Sequence, residues 1–211
     1  AQYTSDPVFR ALVDARVSGR RDGSIPPPPK VRVTPGAIRT LLGMKRRGVR
    51  REDAELFLEV FTRQGLQWAD LAFLRERTKL PIVLKGIQHP DDARLARDAG
   101  VDGVVVSNHA GRQIDGAIGS LEALPGVVEA VGDDLTVLFD SGVRGGADVV
   151  RALALGARAV QVGRPWVYAM AIAGEEGARE ALRNILAEFD LVLGLSGHRR
   201  VADLTPDIVV R

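Results

Sequence analysis

Four short apolar runs constrain this chain more than any other feature. They are LPIVLKG from Leu80, VDGVVVSNH from Val101, LTVLFDSG from Leu135 and ARAVQVGRP from Ala157. None alternates apolar with polar residues, as a strand with one wet face would. Continuous apolar runs of this length suit strands buried on both faces, as in a parallel sheet. Parallel neighbours need crossovers, and helix signals lie between the runs. Pro90 followed by Asp91 and Asp92 marks a helix start, and Gly100 a stop. Val149, Val150, Leu153 and Ala154 form one apolar face, closed by Gly156. A last helix is expected from about Glu175, burying Leu182, Ile185, Leu186 and Phe189. Strand–helix alternation predicts the α/β class.

Every run ends in residues capable of chemistry. Lys85 ends the first; Ser107, Asn108 and His109 end the second; Asp140 and Ser141 end the third; Gly163 and Arg164 end the fourth. Both (β/α) barrels and doubly wound sheets bind ligands at the carboxyl ends of their strands. No G-x-G-x-x-G follows a first strand, which argues against a dinucleotide fold.

The rest of the chain is less regular. Residues 15–50 are expected to form a long irregular segment, with Pro26, Pro27, Pro28 and Pro29 in a row and glycines at 19, 23, 36, 43 and 48. We therefore expect a division into residues 1–50, a strand-end segment with a mobile or irregular loop, and residues 51–211. Leu56, Phe57, Val60 and Phe61 repeat at helical spacing, and Trp68, Leu71 and Ala72 begin another short helix.

Composition removes several classes of function. Of 211 residues 45% are hydrophobic and the net charge is +2, which excludes a disordered chain. There is no cysteine, so disulfides, thiolate metal sites and a cysteine nucleophile are excluded. His89, His109 and His198 are far apart in sequence, and no metal site is expected. No apolar run approaches the ~18 residues of a membrane span. The opening AQYTSDPVFR lacks the form of a signal peptide, and a cytoplasmic protein is expected. Basic residues crowd ARVSGRRDG and GMKRRGVRRED, which read as solvated faces. No aromatic is interleaved with them, so neither a base-stacking surface nor a nucleic-acid partner is indicated.

The strand ends suggest specific chemistry. FDSGVRGGADVV runs from a strand through glycines 142, 145 and 146 into a helix start, and VGRPWVYA repeats the device. Helix N-termini with bare backbone bind anions. Arg144 and Arg164 stand beside them, so the pair describes a phosphate site. In VVVSNHAGRQ, His109 is placed to act as a base near neutral pH and Arg112 to clamp a carboxylate. That combination suits proton removal from a 2-hydroxy acid. Lys85 is open to two roles, a cation neutralising a cofactor or a Schiff-base amine. His89 and His198 lack such neighbours and read as structural or surface residues.

LPIVLKGIQHPDDA, VVVSNHAGRQIDG, VLFDSGVRGGADVVRALALGA and VQVGRPWVYA together resemble the FMN-dependent 2-hydroxy-acid oxidoreductases, whose fold is a (β/α)8 TIM barrel. LKGIQHPDDA and LSGHRRVADLTPD are most similar to the lactate 2-monooxygenase branch, and QYTSDPVF resembles a segment before that branch's mobile loop. The resemblance implies FMN as cofactor and a short 2-hydroxy acid, lactate-like, with oxygen as co-substrate and possible oxidative decarboxylation. It implies His109 as catalytic base and Arg112, with His109, as substrate ligands. It implies cofactor contacts at Lys85, Ser107, Asp140, Ser141, Gly142, Val143, Arg144, Gly163 and Arg164. A homotetramer is also implied. One departure is Ala110, where the family writes SNHGGRQ; a positive φ there would cost alanine about 1 kcal/mol or more.

The larger departure is length. A complete barrel takes ~250 residues, and this chain supplies four strand–helix units, matching the fifth to eighth. It is expected to be one fragment of a longer enzyme, to pair with a missing N-terminal half, or to be a truncated half-barrel. In the last case it would be non-catalytic and would bind a phosphate ligand or a partner chain. An isomerase-like phosphate-binding barrel is the remaining enzyme alternative, and it has no need of the His–Arg pair.

Overall fold

The computed structural model describes residues 6–27, 34–46, 48–61 and 65–209. The chain divides into two compact units, residues 1–66 and 67–211.

The first unit is helical where it is described. Asp6 accepts the Phe9 amide at 2.8 Å and Pro7 occupies the first turn, so α1 spans Pro7–Arg21. Helix α2 spans Pro35–Arg46, again with proline at its start, and α3 spans Arg51–Phe61. Phe9 and Val13 of α1 bury themselves against Leu56 of α3. Ion pairs tie the same helices together: Arg16 to Glu59, Arg20 to Glu55 at 2.7 Å, and Arg50 to Asp14 at 2.9 Å.

These helices correct the expected irregular segment at 15–50 and the boundary at residue 50. A mid-helix glycine costs only about 1 kcal/mol relative to alanine, and in α1 the Asp6 cap, the proline start and the burial of Phe9 and Val13 exceed that. Because Leu56 packs on α1, residues 51–61 belong with the first unit. Pro28 and Pro29 lie outside the described residues. Arg16 and Arg20 of the first basic stretch are largely buried in their ion pairs and so depart from the solvated face expected.

In the second unit a short helix, α4 at Asp70–Arg75, precedes four strands. They are β1 Val83–Ile87, β2 Gly103–Val106, β3 Thr136–Phe139 and β4 Ala159–Val160. All pair in parallel, in the order β1-β2-β3-β4. A doubly wound sheet reverses its strand order at a switch point. This sheet does not; neighbours in sequence are neighbours in space, as in a barrel wall.

The crossovers are α5 Pro90–Asp98, α6 Ser120–Val131 and α7 Gly146–Ala154. His89 caps α5, its Nδ1 accepting the Asp91 amide at 3.2 Å, which accounts for that histidine structurally. Ala93 and Ala96 are fully buried, so α5 lies close to its neighbours. Val104, Val106, Val137 and Phe139 of the sheet pack with Leu124, Val127 and Val131 of α6 and Ala152 of α7. Fully burying a side chain such as Leu124 contributes about 1.5–3 kcal/mol.

Helix α8 spans Arg164–Leu195, beginning earlier than expected and bending at Ala173 and Gly174, whose φ is 59°. The break hides the first segment from a periodicity reading. Ile185 is buried, but Leu186 and Leu182 are exposed in this chain, contrary to expectation. Short 3-10 turns at Val201–Asp203 and Pro206–Ile208 end the described chain. No described helix is long and apolar enough to cross a membrane.

Candidate active site at the strand ends

Parallel pairing in sequence order brings the four strand ends onto one rim. A cavity of about 760 Å³ opens there. Lys85 of β1 lines it, as do Asn108, His109 and Arg112 beyond β2. The third strand end contributes Asp140, Ser141, Gly142, Val143 and Arg144, and the fourth Gly163 and Arg164. Every expected site residue except Ser107 therefore faces one space.

Ser107 is fully buried behind that space. Its Oγ donates to Asp140 Oδ1 at 2.7 Å and accepts from Lys85 Nζ at 2.8 Å and from the His109 amide at 3.1 Å. A hydroxyl has one donor and two acceptor positions, so this one is saturated within the protein. Lys85 Nζ also pairs with Asp140 Oδ2 at 2.7 Å. Burial pushes the Asp140 carboxyl up, but hydrogen bonds from Lys85, Ser141 and Ser107 outweigh it and hold the pKa below the ordinary aspartate value.

The turn after β2 is unusual. His109 and Ala110 both have left-handed backbones, with φ of 54° and 56°. The Ala110 amide donates to Ser141 Oγ at 3.0 Å, and its carbonyl accepts from Arg164 Nη2 at 3.0 Å. The family-divergent alanine therefore carries the strain anticipated from the sequence. Beneath the imidazole lies Gly86, with φ of 105°; a Cβ there would stand 2.9 Å from His109 Cε1. The bare backbone at Gly86 is the seat of the His109 ring.

The two glycine turns differ from their expected equivalence. At the start of α7 the amides of Arg144 and Gly145 donate to Asp148 Oδ2 at 2.9 and 3.3 Å. Those donors are occupied by the helix's own carboxylate. Gly145 and Gly146 serve packing rather than ligand approach: a Cβ on Gly146 would meet the Phe189 amide nitrogen of α8 at 2.0 Å. Gly142, with φ of 77°, and Gly163 do border open space, with no atom within 4 Å of where a Cβ would stand. The N-terminus of α8 has no side-chain cap. One open helix N-terminus, two bare glycines and the side chains of Arg144 and Arg164 thus border the same part of the cavity, an arrangement chemically suited to an anion. Among the described residues the Arg112 and Arg144 side chains have no partner. Asn108 Oδ1 is buried without a donor beside the same cavity.

Sequence reasoning missed Gly86, Asp148 and Ser120, whose Oγ accepts the Asn108 amide at 2.8 Å. Asp148 had a signal, since an acid three residues after a helix N-cap commonly caps the backbone. Among the described residues no cluster of acids and histidines could hold a metal, and His198 Nδ1 meets Ser196 Oγ at 3.1 Å away from the rim.

Residues 8–211 match the family model described as FMN-dependent dehydrogenase. The chain belongs to that family. An FMN-dependent alpha-hydroxy acid dehydrogenase, qulF, of Penicillium citrinum is 58% identical over 144 residues, 68% of this chain and 36% of the relative. The L-lactate dehydrogenase of Caulobacter vibrioides (strain NA1000 / CB15N) is 51% identical over 145 residues, 69% of this chain and 38% of the relative. The L-lactate oxidase of Lysinibacillus sphaericus (strain C3-41) is 47% identical over 146 residues, covering 69% and 38%. Among solved structures, mandelate oxidase with benzoyl-formic acid superposes with a TM-score of 0.64 at 46% identity, over 67% of this chain and 42% of that one. The chain thus spans well under half the length of these relatives. Its four parallel strands are part of a TIM-barrel wall.

Proposed function

We propose that this chain carries the flavin-phosphate cradle, the general base and a substrate-carboxylate ligand of an FMN-dependent oxidase of a short L-2-hydroxy acid, lactate-like in size. The observation that carries the proposal is the convergence of His109, Arg112, Lys85, Arg144 and Arg164 on one cavity at the carboxyl ends of parallel strands.

The residues present fit FMN. Gly142 and Gly163 leave open the space that side chains would fill, the α8 N-terminus is uncapped, and two arginines border it. Arg144 and Arg164 would hold the phosphate, and Lys85 would stand by the ring system as a cation. FMN, when bound, supplies the two-electron acceptor for oxidation of the alcohol carbon. Arg112 binds the acid's carboxylate through a two-pronged contact and so fixes the α-carbon. The imidazole of His109 takes the α-hydroxyl proton as the carbon is oxidised. Gly86 beneath the ring and the hydrogen-bonded turn around it hold the base in one orientation. Oxygen is the proposed final acceptor, and the lactate 2-monooxygenase-like segments favour release of acetate rather than pyruvate.

The test uses the protein as purified. It should be yellow, should bleach with L-lactate in the absence of air, and should regain colour with oxygen. Acetate with carbon dioxide as product supports the monooxygenase form; pyruvate with peroxide supports the simple oxidase. Flavin that stays oxidised with every short 2-hydroxy acid sinks the substrate class. Failure to bind FMN at all supports a non-catalytic half-barrel.

A further inference from the structure

Four polar groups at the rim are bonded to one another, and their bonds lead to the turn that carries His109. Ser107 Oγ and Ser141 Oγ both donate to the same oxygen, Asp140 Oδ1, at 2.7 and 2.6 Å. Each hydroxyl has its proton committed there, so its lone pairs turn outward. Ser107 Oγ then accepts the His109 amide at 3.1 Å, and Ser141 Oγ accepts the Ala110 amide at 3.0 Å. Those two amides belong to consecutive left-handed residues, φ 54° and 56°. Ser141 is itself left-handed, at 91°. Three non-glycine residues in this region, bonded to one another, mark backbone held by its surroundings rather than by preference.

From this geometry we infer that Asp140 is a positioning residue for His109, acting through the hydroxyls of Ser107 and Ser141. The inference rests on the function proposed above and deepens it. Asp140 fixes where both hydroxyl protons go; the hydroxyls fix the two amides; the amides fix the turn that aims the imidazole over Gly86. Lys85 closes the arrangement, its ammonium 2.7 Å from Asp140 Oδ2, so its charge is balanced inside the protein. Ser107 and Ser141 are thereby assigned to the support of the base. Each has spent its single donor on Asp140.

The experiment compares Ser107→Ala, Ser141→Ala and the double variant with the parent protein. The first readout is the His109 Cε1–H resonance of carbon-13-labelled histidine, identified by its loss in His109→Gln. It needs neither substrate nor turnover, so it separates failure of this inference from failure of the functional reading. Each single variant is expected to move or broaden that resonance while the thermal midpoint shows the protein still folded. The double variant is expected to do little more than either single one, because both act on one turn. The second readout is kinetic. At saturating FMN, kcat should fall about tenfold to a hundredfold, the loss typical of a misplaced catalytic group, while FMN affinity stays within about threefold. An unmoved His109 resonance in both folded single variants overturns the inference. So does a fall in FMN affinity with kcat restored at saturation, since that is how direct cofactor contacts behave. If both serine variants unfold, Asp140→Asn provides the same comparison: it keeps an oxygen for the hydroxyls but withdraws the charge facing Lys85. The resonance should then stay nearer the parent position than in Asp140→Ala, and equal displacement in the two would overturn the inference.

Discussion

Replacing Ala110 by glycine should stabilise the protein. Ala110 sits at φ 56° and ψ 37°, where an L-residue with a Cβ pays roughly 1–2 kcal/mol and glycine almost nothing. Against this, glycine loses more backbone freedom on folding, about 0.4–1 kcal/mol relative to alanine. Both contacts made by Ala110 use backbone atoms, its amide to Ser141 Oγ and its carbonyl to Arg164 Nη2, so the substitution leaves both in place. The difference centres on a net gain of about 0.8 kcal/mol. For a chain of this size that is about 1–4 °C in thermal midpoint. The assay is paired thermal melts followed by a probe in residues 67–211, because the chain has two compact units that need not unfold together. A midpoint lowered by more than about 1 °C would refute the reasoning, since it would mean that the left-handed turn is not the folded conformation at Ala110.

Three other perturbations follow from the same geometry. Gly146→Ala places a methyl 2.0 Å from the Phe189 amide nitrogen; α7 and α8 must separate, and denaturant melts should show a loss of about 1–3 kcal/mol. Gly86→Ala puts its methyl 2.9 Å from His109 Cε1; steady-state kinetics should show kcat reduced about tenfold to a hundredfold, with FMN binding measured by fluorescence little changed. Acid should weaken the rim through Asp140, whose folded pKa is depressed. Its contribution is fully present above the ordinary aspartate pKa and is lost as pH falls through the folded value. Below about pH 5, melts of the parent should therefore decline more steeply than those of Asp140→Asn, and parallel declines would count against the depressed carboxyl.

The strands were legible as uninterrupted apolar runs, although in this chain only β2 is buried at every position. Lys85, His109, Asp140 and Arg164, which line one cavity, were legible as candidate site residues because each breaks such a run at its carboxyl end. What escaped was set by contacts between distant segments. Helix α6 contains Pro125 and Gly126, which read as breakers, yet Leu124, Val127 and Val131 bury one face against the sheet. Gly145 and Gly146 looked like a ligand cradle, and only the position of Phe189 shows that they admit a helix. The saturation of Ser107 depends on Lys85, Asp140 and the His109 amide meeting from three strand ends. Helix α1 was obscured by Gly19, whose cost the Asp6 cap and the burial of Phe9 and Val13 exceed.

The central claim is that one rim grips both a flavin phosphate and a hydroxy acid. A crystal structure of the yellow protein with a slow 2-hydroxy acid tests it most directly. The account predicts the phosphate between Gly142–Arg144 and Gly163–Arg164, the carboxylate on Arg112, and the α-hydroxyl within hydrogen-bond reach of the His109 imidazole. A phosphate bound away from those two turns, or an imidazole turned from the hydroxyl, would contradict it.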